Sequence, residues 1–234
     1  MTQQHITSAF DRDLEDIQAK IMKMGGLVEA AILEGAISLE TRDEERAEKV
    51  RAADKAIDLL EEKINEDAAR LIALRSPTAS DLRLVLAIMK ISGNLERIGD
   101  YAKNMAKRTG VLAQIAPVSD SAGSLRRMAK EVSKMLKDVL DAYIHRDAEL
   151  AGDVIKRDSD VDQMYNGLFR EFLTFMMEDP RNITACMHLH FIGKNIERMG
   201  DHVTAIAEQV VYLVTGEYPE EARLKSDVTS TQTM

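Results

Sequence analysis

The feature that most constrains this chain is a heptapeptide written twice. Asn94-Leu95-Glu96-Arg97-Ile98-Gly99-Asp100 returns as Asn195-Ile196-Glu197-Arg198-Met199-Gly200-Asp201, 101 residues later. Five of the seven positions are identical, and the other two exchange one apolar residue for another. The flanks agree: Ile91 matches Ile192 and Ala106 matches Ala207. Upstream, Val50-(x3)-Asp54-(x3)-Asp58 is echoed by Val154-(x3)-Asp158-(x3)-Asp162. Asp58 precedes Glu96 by 38 residues, and Asp162 precedes Glu197 by 35. One unit of roughly a hundred residues is therefore present in duplicate, and any fold must accommodate two copies of it.

The units are helical. Phe10, Leu14, Ile17, Ile21, Met24, Val28 and Ala31 alternate steps of four and three, which predicts a first helix from about Ser8 to Glu40. Gly25-Gly26 and Gly35 weaken it locally and allow a bend. Thr41 with Glu44 reads as a capping box for the second helix, whose buried stripe is expected at Val50, Ala53, Ile57, Leu60 and Ile64. Pro77 ends that helix, and Ser80 or Asp81 can cap the third. The third carries Ile88, Ile91, Leu95, Ile98, Ala102 and Met105, with Gly110 as its expected stop.

Residues 114–121 contain Pro117 and no apolar period, so they are expected as a linker. The fourth helix shows Leu125, Met128, Val132, Met135, Val139 and Ala142. Asp147 can cap the fifth, with Val161, Tyr165, Leu168, Phe172 and Phe175 on its inner face. Asp179-Pro180 announces the sixth, which carries Ile192, Ile196, Met199, Val203, Ile206, Val210 and Leu213 up to Gly216. The expected class is all-α: two tandem three-helix bundles of six long antiparallel helices. The expected domains are 1–113 and 122–216, with a polar tail at 217–234. A single six-helix arrangement sharing one core is the other packing this pattern permits.

Composition narrows the function. The net charge is −9, which disfavours nucleic acid as a partner. Cys186 stands alone, so neither a disulfide framework nor a Cys-based zinc site is expected. The longest apolar run, Leu84 to Met89, is too short for membrane insertion, and Met1 to Asp16 lacks the apolar core of a signal peptide. A cytoplasmic protein is the expectation.

The chemistry lies in the acids. Glu96 and Asp100 stand one helical turn apart, as do Asp54 and Asp58, Asp158 and Asp162, and Glu197 and Asp201. Antiparallel neighbours would bring two pairs together in each unit. The stripe places Ala53 and Leu95 inside, so the acids are expected on the rim of the bundle, reachable from solvent. Four converging carboxylates repel unless protons or cations intervene. Their hard oxygens suit Mg²⁺, Ca²⁺, Mn²⁺ or iron. Gly99 and Gly200, inside a helix where glycine costs about 1 kcal/mol against alanine, point to room for a metal cluster or a close helix. Arg97 and Arg198 either pair with neighbouring acids or meet phosphate or a partner. Asn94 and Asn195 either supply an amide ligand or bond helix to helix. His202, beside Asp201, is expected at the surface; its counterpart in the first unit is Tyr101.

With these residues in view, the chain resembles the PhoU family of phosphate-uptake regulators. The resemblance runs through Val50 to Ile64, Leu74-Arg75-Ser76-Pro77-Thr78-Ala79-Ser80-Asp81-Leu82-Arg83, both Asn-x-Glu-Arg-x-Gly-Asp motifs and Glu178-Asp179-Pro180-Arg181-Asn182. The family's E(D)-x3-D motif is matched by Glu96/Asp100, Glu197/Asp201, Asp54/Asp58 and Asp158/Asp162. The resemblance implies metal clusters of iron or zinc on two similar bundles, and dimers or higher oligomers. It implies a negative regulator of the phosphate-starvation response that links the ATPase subunit of the phosphate ABC transporter to a sensor histidine kinase. Glu62 in the first unit corresponds to Asn166 in the second, which implies fewer or weaker ions there.

A carboxylate-bridged metalloenzyme is the competing expectation. Di-iron bundle enzymes use a Glu-x2-His pair inside the bundle. No such pair occurs here, which favours a non-enzymatic adaptor. A bare helical scaffold leaves the repeated acids and glycines unexplained.

Overall fold

The computed structural model describes residues 2–118 and 121–219. Six α-helices and one short 3-10 turn make up the described chain: α1 Thr2–Thr41, α2 Glu44–Arg75, α3 Ala79–Ala113, α4 Ser121–His145, α5 Ala148–Glu178, the turn Pro180–Asn182, and α6 Ile183–Thr215. The helical class read from the stripes holds. Helix ends differ in several places. α1 already begins at Thr2. The cap of α2 is Asp43, whose side chain accepts from the Arg46 amide, while Thr41 bonds back to the Ile37 carbonyl. α3 starts after Thr78 and runs through Gly110 to Ala113. Ser121, expected at the end of the linker, opens α4. Asp147 and Gly216 behave as expected: Asp147 caps α5, and Gly216, at φ 87°, stops α6; Asp179 caps the 3-10 turn, and α6 itself starts after Asn182, whose side chain makes no cap bond. Two expected segments fall partly outside the described residues: 119–120 of the linker and 220–234 of the tail.

Each unit folds as a three-helix bundle in which the second helix runs antiparallel to the first and third. Thus Glu34 of α1 meets Arg46 of α2 and Asp13 meets Arg75, while Asp54 of α2 meets Lys103 of α3. The bundles do not stand apart. α1 lies along α4 and α3 along α6, and the buried side chains form one continuous core. The single shared core that the pattern permitted is therefore realised on top of the two-bundle plan. Gly25 explains part of that docking. A Cβ there would collide with Leu140 Cδ1, so its absence lets α1 approach α4, and α1 runs on through the glycines.

The α3–α6 face contains His202, which is half-buried and not on the outer surface as expected. Its Nδ1 lies 2.8 Å from Asn94 Oδ1, and its ring lies 5.7 Å from that of Tyr101, its own counterpart in the repeat. The two copies thus meet around equivalent positions, as a pseudo-twofold arrangement of duplicated bundles requires.

Candidate metal centres on the two bundles

The acids sit where α2 crosses α3 and where α5 crosses α6. Their burial differs from the expected rim. Asp54 is 4% exposed, and Asp158, Asp162 and Glu197 are equally buried; Asp58, Glu96, Asp100 and Asp201 are half-buried. For Asp54 the cause is a one-residue departure of the inner face of α2 from the expected stripe. Asp54 points inward and Ala53 outward, so the inner face runs Val50, Asp54, Ile57, with a carboxylate where an apolar residue was expected. Leu60 is only half-buried, and Ile64 lies in the core.

In the first cluster the carboxylates feel one another. Burial raises the Asp58 carboxyl above its ordinary range, and the neighbouring Asp54, Asp100 and Glu62 charges raise it further against the pull of Lys103. Burial also raises Glu96, reinforced by the charge of Asp100 and a hydrogen bond with it. Lys103, three residues beyond the heptapeptide, bonds to Asp54 Oδ2 and lies 3.8 Å from Asp100 Oδ1. Its ammonium is held in the charged form chiefly by that bond to Asp54. Arg97 lies at the mouth, 3.5 Å from Glu96 and 3.7 Å from Asp100.

In the second cluster Glu197 is drawn up by burial, partly offset by its hydrogen bond to Lys194 and enhanced by the charges of Asp201 and Asp162. Lys194 Nζ lies 2.9 Å from Glu197 Oε1 and 5.0 Å from the centre of the Tyr165 ring. Arg198 does not repeat the role of Arg97: its guanidinium lies over Tyr101 of the other bundle, 5.9 Å from the ring centre. Asn94 bonds helix to helix through His202 and donates to the Lys90 carbonyl; Asn195 is half-buried on α6.

Both motif glycines mark close helix crossings. A Cβ at Gly99 would lie 3.1 Å from Ile57 Cδ1 and 3.8 Å from Asp54 Oδ1. At Gly200 it would lie 3.4 Å from Val161 Cγ1 and 3.5 Å from Asp158 Oδ1. The close-helix reading thus describes both positions, with a cluster carboxylate beside each.

Do these residues fit a metal? Among the described residues no three His, Cys, Asp or Glu side chains stand so that they could hold an ion as they are. The physical reason in the first cluster is visible: the Lys103 ammonium already occupies the space between Asp54 and Asp100. The donor chemistry nevertheless fits a hard cation. Asp54 Oδ1 and Glu197 Oε2 are buried with no hydrogen-bond partner, one such oxygen in each cluster. A buried carboxylate oxygen without a donor is costly, and a cation or a proton relieves it. The two lysines escaped the sequence reading. The signal that could have found them is a lysine three positions outside the acid pair of each heptapeptide.

The PhoU domain family model matches residues 21–109 and again 125–210, one copy on each bundle. The chain is 45% identical over 231 residues to the phosphate-specific transport system accessory protein PhoU homolog of Rhizobium meliloti, covering 99% of this chain and 98% of the relative. It is 45% identical over 227 residues to the homolog of the same name from Caulobacter vibrioides, covering 97% of this chain and 99% of the relative. Among solved structures, PhoU from Pseudomonas aeruginosa superposes with a TM-score of 0.85 at 39% identity, covering 89% of this chain and all of that one. The phosphate transport system regulatory protein PhoU from Streptococcus pneumoniae superposes with a TM-score of 0.82 at 32% identity, covering 91% and 100%. A family model matched twice, relatives similar end to end and neighbours sharing the whole fold lead to one conclusion: this chain belongs to the PhoU family.

Proposed function

We propose that this chain is a cytoplasmic, metal-binding accessory protein of phosphate transport that restrains the phosphate-starvation response. In this reading it acts between the ATPase subunit of a phosphate ABC transporter and a sensor histidine kinase, as a homodimer and without enzymatic activity. The observation that carries the reading is the doubled carboxylate cluster, each copy with a buried oxygen that lacks a protein partner, on a chain similar end to end to transport accessory proteins. Among the described residues no helix is long and apolar enough to cross a membrane, which agrees with an accessory role beside a transporter.

Asp54, Asp58, Glu96 and Asp100 would hold a cation in the first bundle. Asp158, Asp162, Glu197 and Asp201 would hold one in the second. Oxygen donors alone admit iron, zinc, magnesium or manganese, with iron or zinc preferred on the family resemblance. Such a cation would neutralise carboxylates contributed by two helices, and so would tie α2 to α3 and α5 to α6. The protein's own part is to gather those acids, bury four of them and balance the clusters with Lys103 and Lys194 until a metal arrives.

Two measurements test the reading separately. Metal analysis of protein purified without chelator or tag metal should find bound ions, and Asp100→Ala/Asp201→Ala should lose most of them with helix content kept. Unchanged stoichiometry in the double variant refutes the metal assignment. Deleting the gene in its host should leave a phosphate-regulated promoter active in phosphate-rich medium. Normal repression there refutes the regulatory role.

A further inference from the structure

A basic strip runs along the outer face of α4, in a chain whose net charge is −9. Arg126, Arg127, Lys130, Lys134 and Lys137 are all exposed. Steps of four, four and three residues from 126 to 137 return to nearly the same side of a helix. The acids of that stretch are drawn off it: Arg157 of α5 holds Glu131 at 2.8 Å and Asp138 at 2.5 Å. Arg126 pairs with Glu40 of α1. Among the described residues, Lys130, Lys134 and Lys137 have no carboxylate within ion-pair distance.

The strip forms one wall of a groove of about 710 Å³ between α4 and α1. On α1 the groove is lined by Leu33, Ala36 and Ile37 together with the half-buried Glu29, and Glu131, held by Arg157, lies on its α4 wall. The strip is not a by-product of duplication. Ile21, Met24 and Val28 of α1 register on Leu125, Met128 and Val132 of α4, an offset of 104 residues. In that register the five cations correspond to Met22, Lys23, Gly26, Ala30 and Leu33, of which a single one is charged. The second bundle has the strip and the first does not.

We propose that this groove docks an acidic amphipathic helix of a partner protein. Its carboxylates would face Lys130, Lys134 and Lys137, and its apolar stripe would cover Leu33 and Ile37. Charge complementarity selects the occupant. Cations outnumber acids five to two along the groove, and its recessed Leu33 and Ile37 suit the apolar stripe of a helix better than a flat lipid surface. Among the described residues no aromatic side chain lines the groove to stack on bases, and the acidic remainder of the chain repels a phosphate backbone. The inference does not rest on the metal reading.

The test uses the full chain and a fluorescent synthetic helix carrying glutamates and leucines on opposite faces. Binding should appear in anisotropy and weaken with added salt. Lys130→Glu/Lys134→Glu/Lys137→Glu should weaken it by roughly tenfold or more, since reversed charges at an interface repel. The milder Lys134→Ala should weaken it several-fold, and Lys49→Glu on α2 should leave it unchanged. All four positions are exposed, so circular dichroism should not change. Absence of peptide binding overturns the proposal. So does equal binding by the triple variant, or tighter binding to phosphatidylserine-containing vesicles or duplex DNA than to the peptide.

Discussion

The two carboxylate clusters have the same acids on equivalent helices, yet each is balanced from a different end. In the first, the ammonium comes from Lys103, beyond the heptapeptide; in the second it comes from Lys194, before Glu197. Neither lysine is repeated: position 204 is Thr and position 93 is Gly. Burial differs as well. The side chain of Glu96 is 25% exposed and that of Glu197 only 5%. Glu62 is exposed at the first cluster, while Asn166, its counterpart, is buried at the second. The drier cluster has exchanged a carboxylate for a neutral amide. Duplicated sequence thus preserved the donor set while the two copies settled their charge balance separately. A drier site tolerates less net charge, because each unpaired ion there costs more.

The comparison breaks most sharply at the glycines. Gly99→Leu and Gly200→Leu both push a side chain into the facing helix, where Ile57 or Val161 already stands within 3.4 Å of the point a Cβ would occupy. Overpacking of this kind costs about 1–3 kcal/mol, and the upper end is expected at both sites. Thermal melts should fall together, and metal binding should weaken with them. Melting at or above wild type with normal metal content would mean that the glycines are incidental.

Removing the lysines should separate the clusters. Lys194→Met leaves Glu197 buried with neither oxygen bonded, and it also removes the cation over Tyr165. Lys103→Met leaves Asp54 in a similar state, but Lys103 is 42% exposed against 28% for Lys194, so water replaces it more readily. An orphaned buried acceptor costs about 1–3 kcal/mol. In chelated protein the Lys194 variant should lose more stability than the Lys103 variant, and divalent metal should restore part of both losses. Equal losses would show that the two environments are alike.

These lysines mark the limit of what was legible in the sequence. Helical periodicity found α1, α3, α4 and α6 with their inner faces nearly residue for residue. The duplicated heptapeptide located the acids that the fold then brings together. On α2 the reading failed by one position, because hydropathy cannot anticipate that Asp54 is buried in place of Ala53. Burial of an acid depends on a cation from another helix, and Lys103 is 49 residues away. His202 failed for the same reason. Its place against Tyr101 and Asn94 follows from how two bundles dock, and no local pattern encodes that. Caps at Asp147 and Asp179 were legible because a side chain and its amide partner lie within three residues.

The raised carboxyls give the comparison a pH dependence. Asp58, Glu96 and Glu197 each take up protons more readily in the folded chain than in the unfolded one. Their favourable contribution is present below the ordinary carboxylate range of about pH 4 and is lost as pH rises through their folded values. Glu197→Gln removes one such group and presents an amide N–H₂ to the neighbouring acids. Metal-free Glu197→Gln should therefore melt above wild type near neutral pH, with the gap closing towards about pH 4. Glu96→Gln should behave alike but more weakly, since its site is wetter. A gap that widens on acidification would reverse the assigned direction.

The smallest effect separates the clusters by a few tenths of an ångström. Alanine in place of mid-helix glycine gains up to about 1 kcal/mol from helix propensity when the new methyl fits. At Gly200 it fits: the nearest atom, Val161 Cγ1, lies at 3.4 Å, an ordinary contact. At Gly99 it meets Ile57 Cδ1 at 3.1 Å and Cγ2 at 3.3 Å. The Cδ1 end can turn aside. Cγ2 is fixed to a β-branched carbon with one strongly preferred helical rotamer, so α2 itself must give way. Gly200→Ala should therefore stabilise the metal-free protein in denaturant melts, whereas Gly99→Ala should leave it near wild type or slightly lower. An equal gain at both positions would mean that Ile57 yields freely and that the tighter crossing in the first bundle is no constraint.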